Sequence, residues 1–350
     1  MLLLNYRPVL AQPRGIGVYA EGVLPALRQL PHRLVQGGGS GGGLERLRRL
    51  AWTQVRLPRL AARSGASLIF TPAPEGYLGP QQVPQVVMVH DLRSLTHPEA
   101  SLQSLYFRSW VPALLRSCRH VLTNSLYTAA EIIRATAIPE SRISVVPLGY
   151  DRQSFRLASA GALPDLAGLV PPGAPYLLHV GEAYPHKNLE RLIRAFERLG
   201  HLELRLVLAG KPHPTETLRL RRLVAERGLT DRVLFLPYVP FAQLPDLYRG
   251  ALAFVYPSLW EGFGLPVLEA MACGTPVLTS PGSGLQEASG EAALLADPLS
   301  LPALTSALAR LVGDGGLRAR LRAAGLERSA AFSWERTGAQ TRAVIEGLMG

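Results

Sequence analysis

The sequence predicts an α/β chain of two Rossmann-like domains, each built on a doubly wound sheet of parallel strands. Three observations predict it. The 350 residues exceed the length at which one hydrophobic core keeps growing, so two domains are expected. Short apolar runs alternate with longer helical patterns from end to end, the rhythm of βαβ units around parallel sheets. Residues 151–175 interrupt that rhythm with Gly161, Pro164, Pro171, Pro172, Gly173 and Pro175, which disfavour a continuous helix or strand. The expected domains are therefore residues 1–150 and 176–331, with a linker at 151–175 and a closing segment at 332–350.

The elements follow in order. Met1-Leu2-Leu3-Leu4 reads as a buried first strand, because it has neither a basic leader nor a long apolar region ending at a small-residue cleavage site. The tract Gly37-Gly38-Gly39-Ser40-Gly41-Gly42-Gly43 is too flexible to pack and is expected as a loop. From Leu44 through Trp52 to Arg63 the chain reads as a basic helix with apolar residues at three- and four-residue intervals, packed on the first sheet or resting on anionic lipid. Compact apolar runs at 67–70, 86–89, 120–123 and 143–146 are strands of the first domain, and those at 176–180, 204–208, 233–236, 253–256 and 276–278 are strands of the second. Ser333 caps a final helix, which is expected to pack back towards the first domain.

Composition narrows the class. Hydrophobic residues make up 47% and charged residues 18%, which excludes a disordered chain, and no run approaches the roughly 20 apolar residues of a membrane span. Cys118 and Cys273 stand alone, so neither a disulfide framework nor a zinc site is expected, and a cytoplasmic protein, at most peripheral to a membrane, fits. The net charge of +11 is uneven: residues 1–150 carry 16 Arg against 7 Asp+Glu. An acidic acceptor, an anionic membrane surface and nucleic acid all fit that excess, as does an arginine-rich genome in a chain with only two Lys. No aromatic platform interleaves the arginines, which disfavours nucleic acid as a partner.

The stretch with most chemistry is Ser258-Leu259-Trp260-Glu261-Gly262-Phe263-Gly264-Leu265-Pro266-Val267-Leu268-Glu269, which follows a strand and opens a helix. Gly262 and Gly264 allow a tight turn and Pro266 suits a first helical turn, so a helix N-terminus with free amides is presented to an anion. The passage, continuing Ala270-Met271-Ala272-Cys273-Gly274-Thr275-Pro276-Val277, resembles the paired-glutamate signature of the retaining family 4 glycosyltransferases. That resemblance implies the GT-B fold, with two Rossmann-like domains facing across a cleft that holds a nucleotide-activated sugar. It implies that Glu261 contacts the donor sugar and Glu269 the ribose, while the amides of Gly262, Phe263, Gly264 and Leu265 meet the diphosphate.

Further segments resemble the family in the same order along nearly the whole chain. Gly15 and Gly17 match its glycine loop after the first strand; His90, in Val89-His90-Asp91, matches its cleft histidine; and Asn124 lies in its strand-to-helix turn. Lys187, in Pro185-His186-Lys187-Asn188, matches the lysine that supports the leaving diphosphate. Many relatives carry arginine where this chain has Glu182 or His186. Lys211 is a second phosphate cation or a solvated turn residue, and Val239 lies where backbone meets the nucleobase. With His90, Lys187 and Glu261 as catalytic residues, the implied activity is a retaining, mannosyltransferase-like transfer from a GDP-mannose-like or UDP-hexose donor to a glycan, lipid-linked or small-molecule acceptor. No Asp-x-Asp occurs, so neither a metal nor another cofactor is expected. The rivals are a sugar-nucleotide epimerase or phosphorylase of the same fold, a dinucleotide oxidoreductase, which lacks its third glycine, and an inactive nucleotide-sugar or polyanion binder.

Overall fold

The computed structural model describes residues 1–9, 15–37, 43–80, 82–92, 95, 108–159, 164–166 and 168–350, with residues 43–47 as backbone only. Arg14, the tract from Gly38 to Gly42, Gly161 of the expected linker and the side chains at the start of the basic helix lie outside the described residues. The chain forms two compact units, Met1–Gly149 with Ser333–Gly350, and Tyr150–Phe332.

In the first unit the described elements are β1 (Leu2–Asn5), α1 (Ile16–Leu27), β2 (His32–Val35), α2 (Gly43–Arg63), β3 (Leu68–Thr71), β4 (Gln85–Val89), α3 (Val111–Ser117), β5 (His120–Thr123), α4 (Leu126–Thr136) and β6 (Ile143–Val145). All strands are parallel, in the order β2-β1-β3-β4-β5-β6. Strands β1, β3, β4 and β5 are buried along their whole length, as expected where helices cover both faces of a parallel sheet. The edge strand β2, absent from the sequence expectation, is only partly buried and carries His32 and Arg33.

The second half of the basic helix α2 packs inside the unit. Leu57 and Ala61 are fully buried with Leu3, Ile69, Tyr77 and Val83, while Arg48, Arg56, Arg59 and Arg63 are exposed. Arg49 is drawn in by Glu75, which it grips through Nε at 2.9 Å and Nη2 at 2.7 Å. No helix among the described residues is long and apolar enough to cross a membrane.

The second unit contains β7 (Tyr176–Val180), α5 (Leu189–Glu197), β8 (Arg205–Ala209), α6 (Glu216–Glu226), β9 (Val233–Leu236), α7 (Leu244–Gly250), β10 (Ala253–Tyr256), α8 (Leu265–Ala272), β11 (Val277–Thr279), α9 (Gly284–Ser289), β12 (Leu294–Leu295), α10 (Leu301–Gly313) and α11 (Gly315–Ser329). Its parallel sheet runs β12-β11-β10-β7-β8-β9. The stretch preceding β7 has no helix or strand among its described residues, yet it is packed onto this unit. Phe155 is buried against Tyr248 and Phe241, and the Arg249 guanidinium donates to the carbonyls of Ser154 and Arg156.

The last helix, α12 (Trp334–Met349), belongs to the first unit. Ser333 accepts from Arg336 N at 3.2 Å as its N-cap, and Thr337 donates to the Pro147 carbonyl at 2.8 Å. The start of this helix lies so close to Gly149 that a Cβ there would be 2.2 Å from the Ser333 carbonyl carbon and the Trp334 nitrogen. Backbone cannot yield as a flexible side chain does. Gly149→Ala is therefore expected to cost roughly 2–3 kcal/mol, the range of overpacked sites. Thermal unfolding followed by tryptophan fluorescence measures it, with Gly313→Ala, whose new methyl meets nothing within 4 Å, as control. A loss below about 0.5 kcal/mol would show that the junction gives way.

Candidate active site

The strand order of the second sheet creates the site. The chain enters at β7, builds outward through β8 and β9, then returns to add β10 on the other side of β7. The connections leaving β7 and β10 diverge at their carboxyl ends, and in open α/β sheets ligands bind at such a switch point. Lys187 follows β7 and Glu261 follows β10, so residues 74 apart in sequence meet there.

Lys187 Nζ donates to Glu261 Oε1 at 2.5 Å and to the Tyr256 hydroxyl at 2.5 Å. Burial alone would lower the lysine pKa, but the Glu261 carboxylate and the Tyr256 oxygen outweigh it and hold it above its ordinary value, so Lys187 is a cation. Tyr256, itself pushed up by burial, stacks on His179 with ring centroids 5.1 Å apart. His179 Nδ1 donates to the Val255 carbonyl at 3.0 Å, which leaves Nε2 as an acceptor with no protein partner among the described residues. Burial and the neighbouring Lys187 push His179 down to about 3, so it is neutral. Gly181 leaves the space above this cluster open: a Cβ there would lie 3.4 Å from His179 Nε2 and 3.8 Å from Lys187 Cε. Asn188, at φ 60°, ties the Lys187 turn to the end of β10 and to the segment after β12 by donating to the carbonyls of Pro257 (3.1 Å) and Pro298 (2.7 Å).

Helix α8 starts beside this cluster. Gly264, at φ 112°, precedes Leu265 and Pro266, and no side chain caps the first turn, so its N-terminus keeps its affinity for an anion. Glu269 lies one turn on, where the Tyr248 hydroxyl donates to Oε2 at 3.0 Å; burial pushes the carboxyl up to about 7.

At the carboxyl edge of the first sheet, Asn124 Nδ2 donates to the His90 carbonyl at 3.0 Å. His90 Nε2 donates to the Pro72 carbonyl at 3.2 Å, and Tyr19 of α1 packs edge-on against the ring at 5.0 Å. Burial pushes His90 down to about 4, so the ring is neutral and its Nδ1 is an acceptor.

Comparison with known proteins identifies the chain. Residues 13–154 match the model of Glycosyltransferase Family 4, and residues 167–328 match that of Glycosyl transferases group 1. An O-antigen chain mannosyltransferase B of Escherichia coli is 34% identical over 274 residues, covering 77% of this chain and 71% of the relative. This chain belongs to the family 4 glycosyltransferases. A second relative, the O-antigen chain mannosyltransferase RfbU of Salmonella typhimurium, is 31% identical over 61% of this chain and 57% of its own length. Sucrose-phosphate synthase from Thermosynechococcus elongatus shares the GT-B fold with a TM-score of 0.80, at 24% identity over 99% of this chain and 98% of that one.

The residues expected at the site fall into two groups, one within each unit. Lys187 and Glu261 are brought together in the second, with Gly262 and Gly264 in the turn between Glu261 and α8 and with Leu265 opening that helix. Phe263 turns its ring inward against Phe332, 5.9 Å away, so only its backbone is offered to a ligand. Val239 is buried and Lys211 is exposed without a hydrogen bond among the described residues. In the first unit, His90 and Asn124 are joined, Gly15 precedes the first turn of α1, and Gly17 is buried within it. Three residues passed over in the sequence shape the second group: Tyr256, His179 and Asn188. The first two read only as strand residues, and the sequence assigns Asn188 no role of its own within the segment that carries Lys187. Among the described residues, no three His, Cys, Asp or Glu side chains converge as a metal site would require.

Proposed function

We propose that this glycosyltransferase moves a hexose from a nucleotide-diphosphate sugar to a glycan, lipid-linked or small-molecule acceptor, with retention of anomeric configuration and without a metal ion. The observation that carries the reading is the buried Lys187 cation, held by Glu261 and Tyr256 at the switch point of the second sheet and beside the uncapped N-terminus of α8. Charge and dipole of one sign meet there, which suits a diphosphate leaving group. In this reading Glu261 exchanges its lysine for sugar hydroxyls, and Glu269 accepts from a ribose. The two mannosyltransferase relatives favour a mannosyl donor. Retention follows a same-face path in which the departing diphosphate takes the acceptor's proton, so no side-chain nucleophile is needed. Contact with an anionic membrane would draw on the exposed arginines of α2, Arg48, Arg56, Arg59 and Arg63.

A panel of nucleotide sugars tests this reading by thermal stabilisation and by slow hydrolysis without acceptor. One donor, GDP-mannose first among those expected, should raise the melting temperature and be hydrolysed at a rate unchanged by chelator. Proton NMR of the early product should show the donor's anomeric configuration. An inverted product would reject the same-face path, and loss of turnover on chelation with recovery on adding metal would reject metal independence.

A further inference from the structure

The Lys187 charge is already compensated. Glu261 neutralises it, and two of the three ammonium hydrogens are spent on Glu261 and Tyr256. While Glu261 stays on Lys187, a doubly charged diphosphate gains little net field from the pair, so sugar hydroxyls or a second cation must take the carboxylate. His186, the preceding residue, is placed to do so. Its Nε2 lies 3.8 Å from the same Glu261 oxygen that Lys187 holds. The ring is fixed between aromatic neighbours, stacked on Trp260 at 4.4 Å and 17° and flanked by Tyr184 at 5.8 Å, which in turn meets His213. Its carbonyl accepts from Leu259 N at 2.8 Å, which joins the Lys187 turn to the loop carrying Glu261.

Resting on the donor reading above, we propose that His186 is a titratable second cation for the donor diphosphate. Protonated, it takes the Glu261 carboxylate, frees Lys187 for the phosphates and adds one positive charge, so that donor binding strengthens as pH falls. Imidazole is the ordinary side chain that changes charge in the physiological range. Among the described residues the groups facing it include Glu261 and Trp260 from the loop after β10, Lys187 and Tyr184 on its own loop, and His213 beyond Tyr184; the Glu261 carboxylate favours the cation and the Lys187 ammonium opposes it.

Calorimetric binding of GDP-mannose and UDP-glucose, measured without acceptor between about pH 5.5 and 8.5, tests the proposal. The doubly esterified diphosphates of these probes have no proton to lose over that range. Glu269 contributes the same pH dependence to every variant, so the readout is the affinity ratio of wild type to His186→Gln. That ratio is expected to be about tenfold at the acid end and to approach one at the alkaline end, the size of one charge-assisted contact. His186→Arg, whose charge does not titrate, should bind tightly at every pH and shows that the turn still folds. A ratio that stays constant with pH, or an arginine variant no tighter than the glutamine variant, overturns the role of His186 and leaves the donor reading intact. Wild-type protein that binds neither probe overturns both.

Discussion

Lys187→Met is expected to lower turnover by roughly 10³-fold, the upper range for losing a preorganised group that stabilises charge developing on a leaving group. The same substitution should cost stability. It leaves the Glu261 carboxylate beside Tyr256 without its counter-ion, and removing one partner of a largely buried pair costs about 3 kcal/mol. The two effects separate in a double mutant. Glu261→Gln alone strands the lysine charge, whereas Lys187→Met with Glu261→Gln removes both charges and should recover much of the lost stability. Turnover should not recover, because the diphosphate still lacks its cation. Steady-state kinetics and thermal unfolding on the four proteins of this cycle provide the measurement. If the Lys187→Met variant kept turnover within tenfold of wild type, the lysine would be a structural tether and the proposed role would fall.

This pair also marks the limit of what the sequence reveals. The buried strands of both sheets were legible, within a residue or so at each end, because strands covered on both faces are continuous apolar runs. Strands β2 and β12 were not: β2 mixes His32 and Arg33 with apolar residues, and β12 has two residues. The glycine turn and the two glutamates were legible because the motif lies in one continuous segment. What they touch was not. Lys187 meets Glu261 only because β10 returns to pair with β7 across the switch point, and strand order leaves no local trace in the sequence. The same holds for Tyr256 and His179, whose alternation reads as strand interior until adjacent strands place one ring on the other. Glu269 shows a third kind of gap: its spacing from Glu261 is in the sequence, but the burial that keeps its proton near neutral pH, and the Tyr248 hydroxyl that opposes this, belong to the fold.

His90→Ala is expected to lower turnover by roughly 10²-fold while nucleotide-sugar affinity stays within a few-fold of wild type, the pattern for a group that acts mainly in the transition state. The geometry makes this residue an acceptor. Nε2 is committed to the Pro72 carbonyl, the Tyr19 edge fixes the ring plane, and Asn124 holds the His90 backbone, so Nδ1 is the atom left to receive a hydrogen bond from a sugar hydroxyl. An acceptor that strengthens as the sugar approaches an oxocarbenium ion lowers the barrier without tightening the ground state. The pH dependence has a definite sign. Because burial pushes His90 down to about 4, the neutral acceptor is fully present at neutral pH and is lost only as pH falls through that value, when Nδ1 gains a proton. No ionisation of His90 should therefore appear in turnover between about pH 6 and 9. His90→Gln, which can offer its amide oxygen in place of Nδ1, should recover part of the turnover that alanine loses, whereas a purely packing role would be met as well by His90→Leu. Saturating-donor kinetics on the three variants decide it: leucine matching or exceeding glutamine would assign His90 to packing, and wild-type turnover by the alanine variant would remove it from the site.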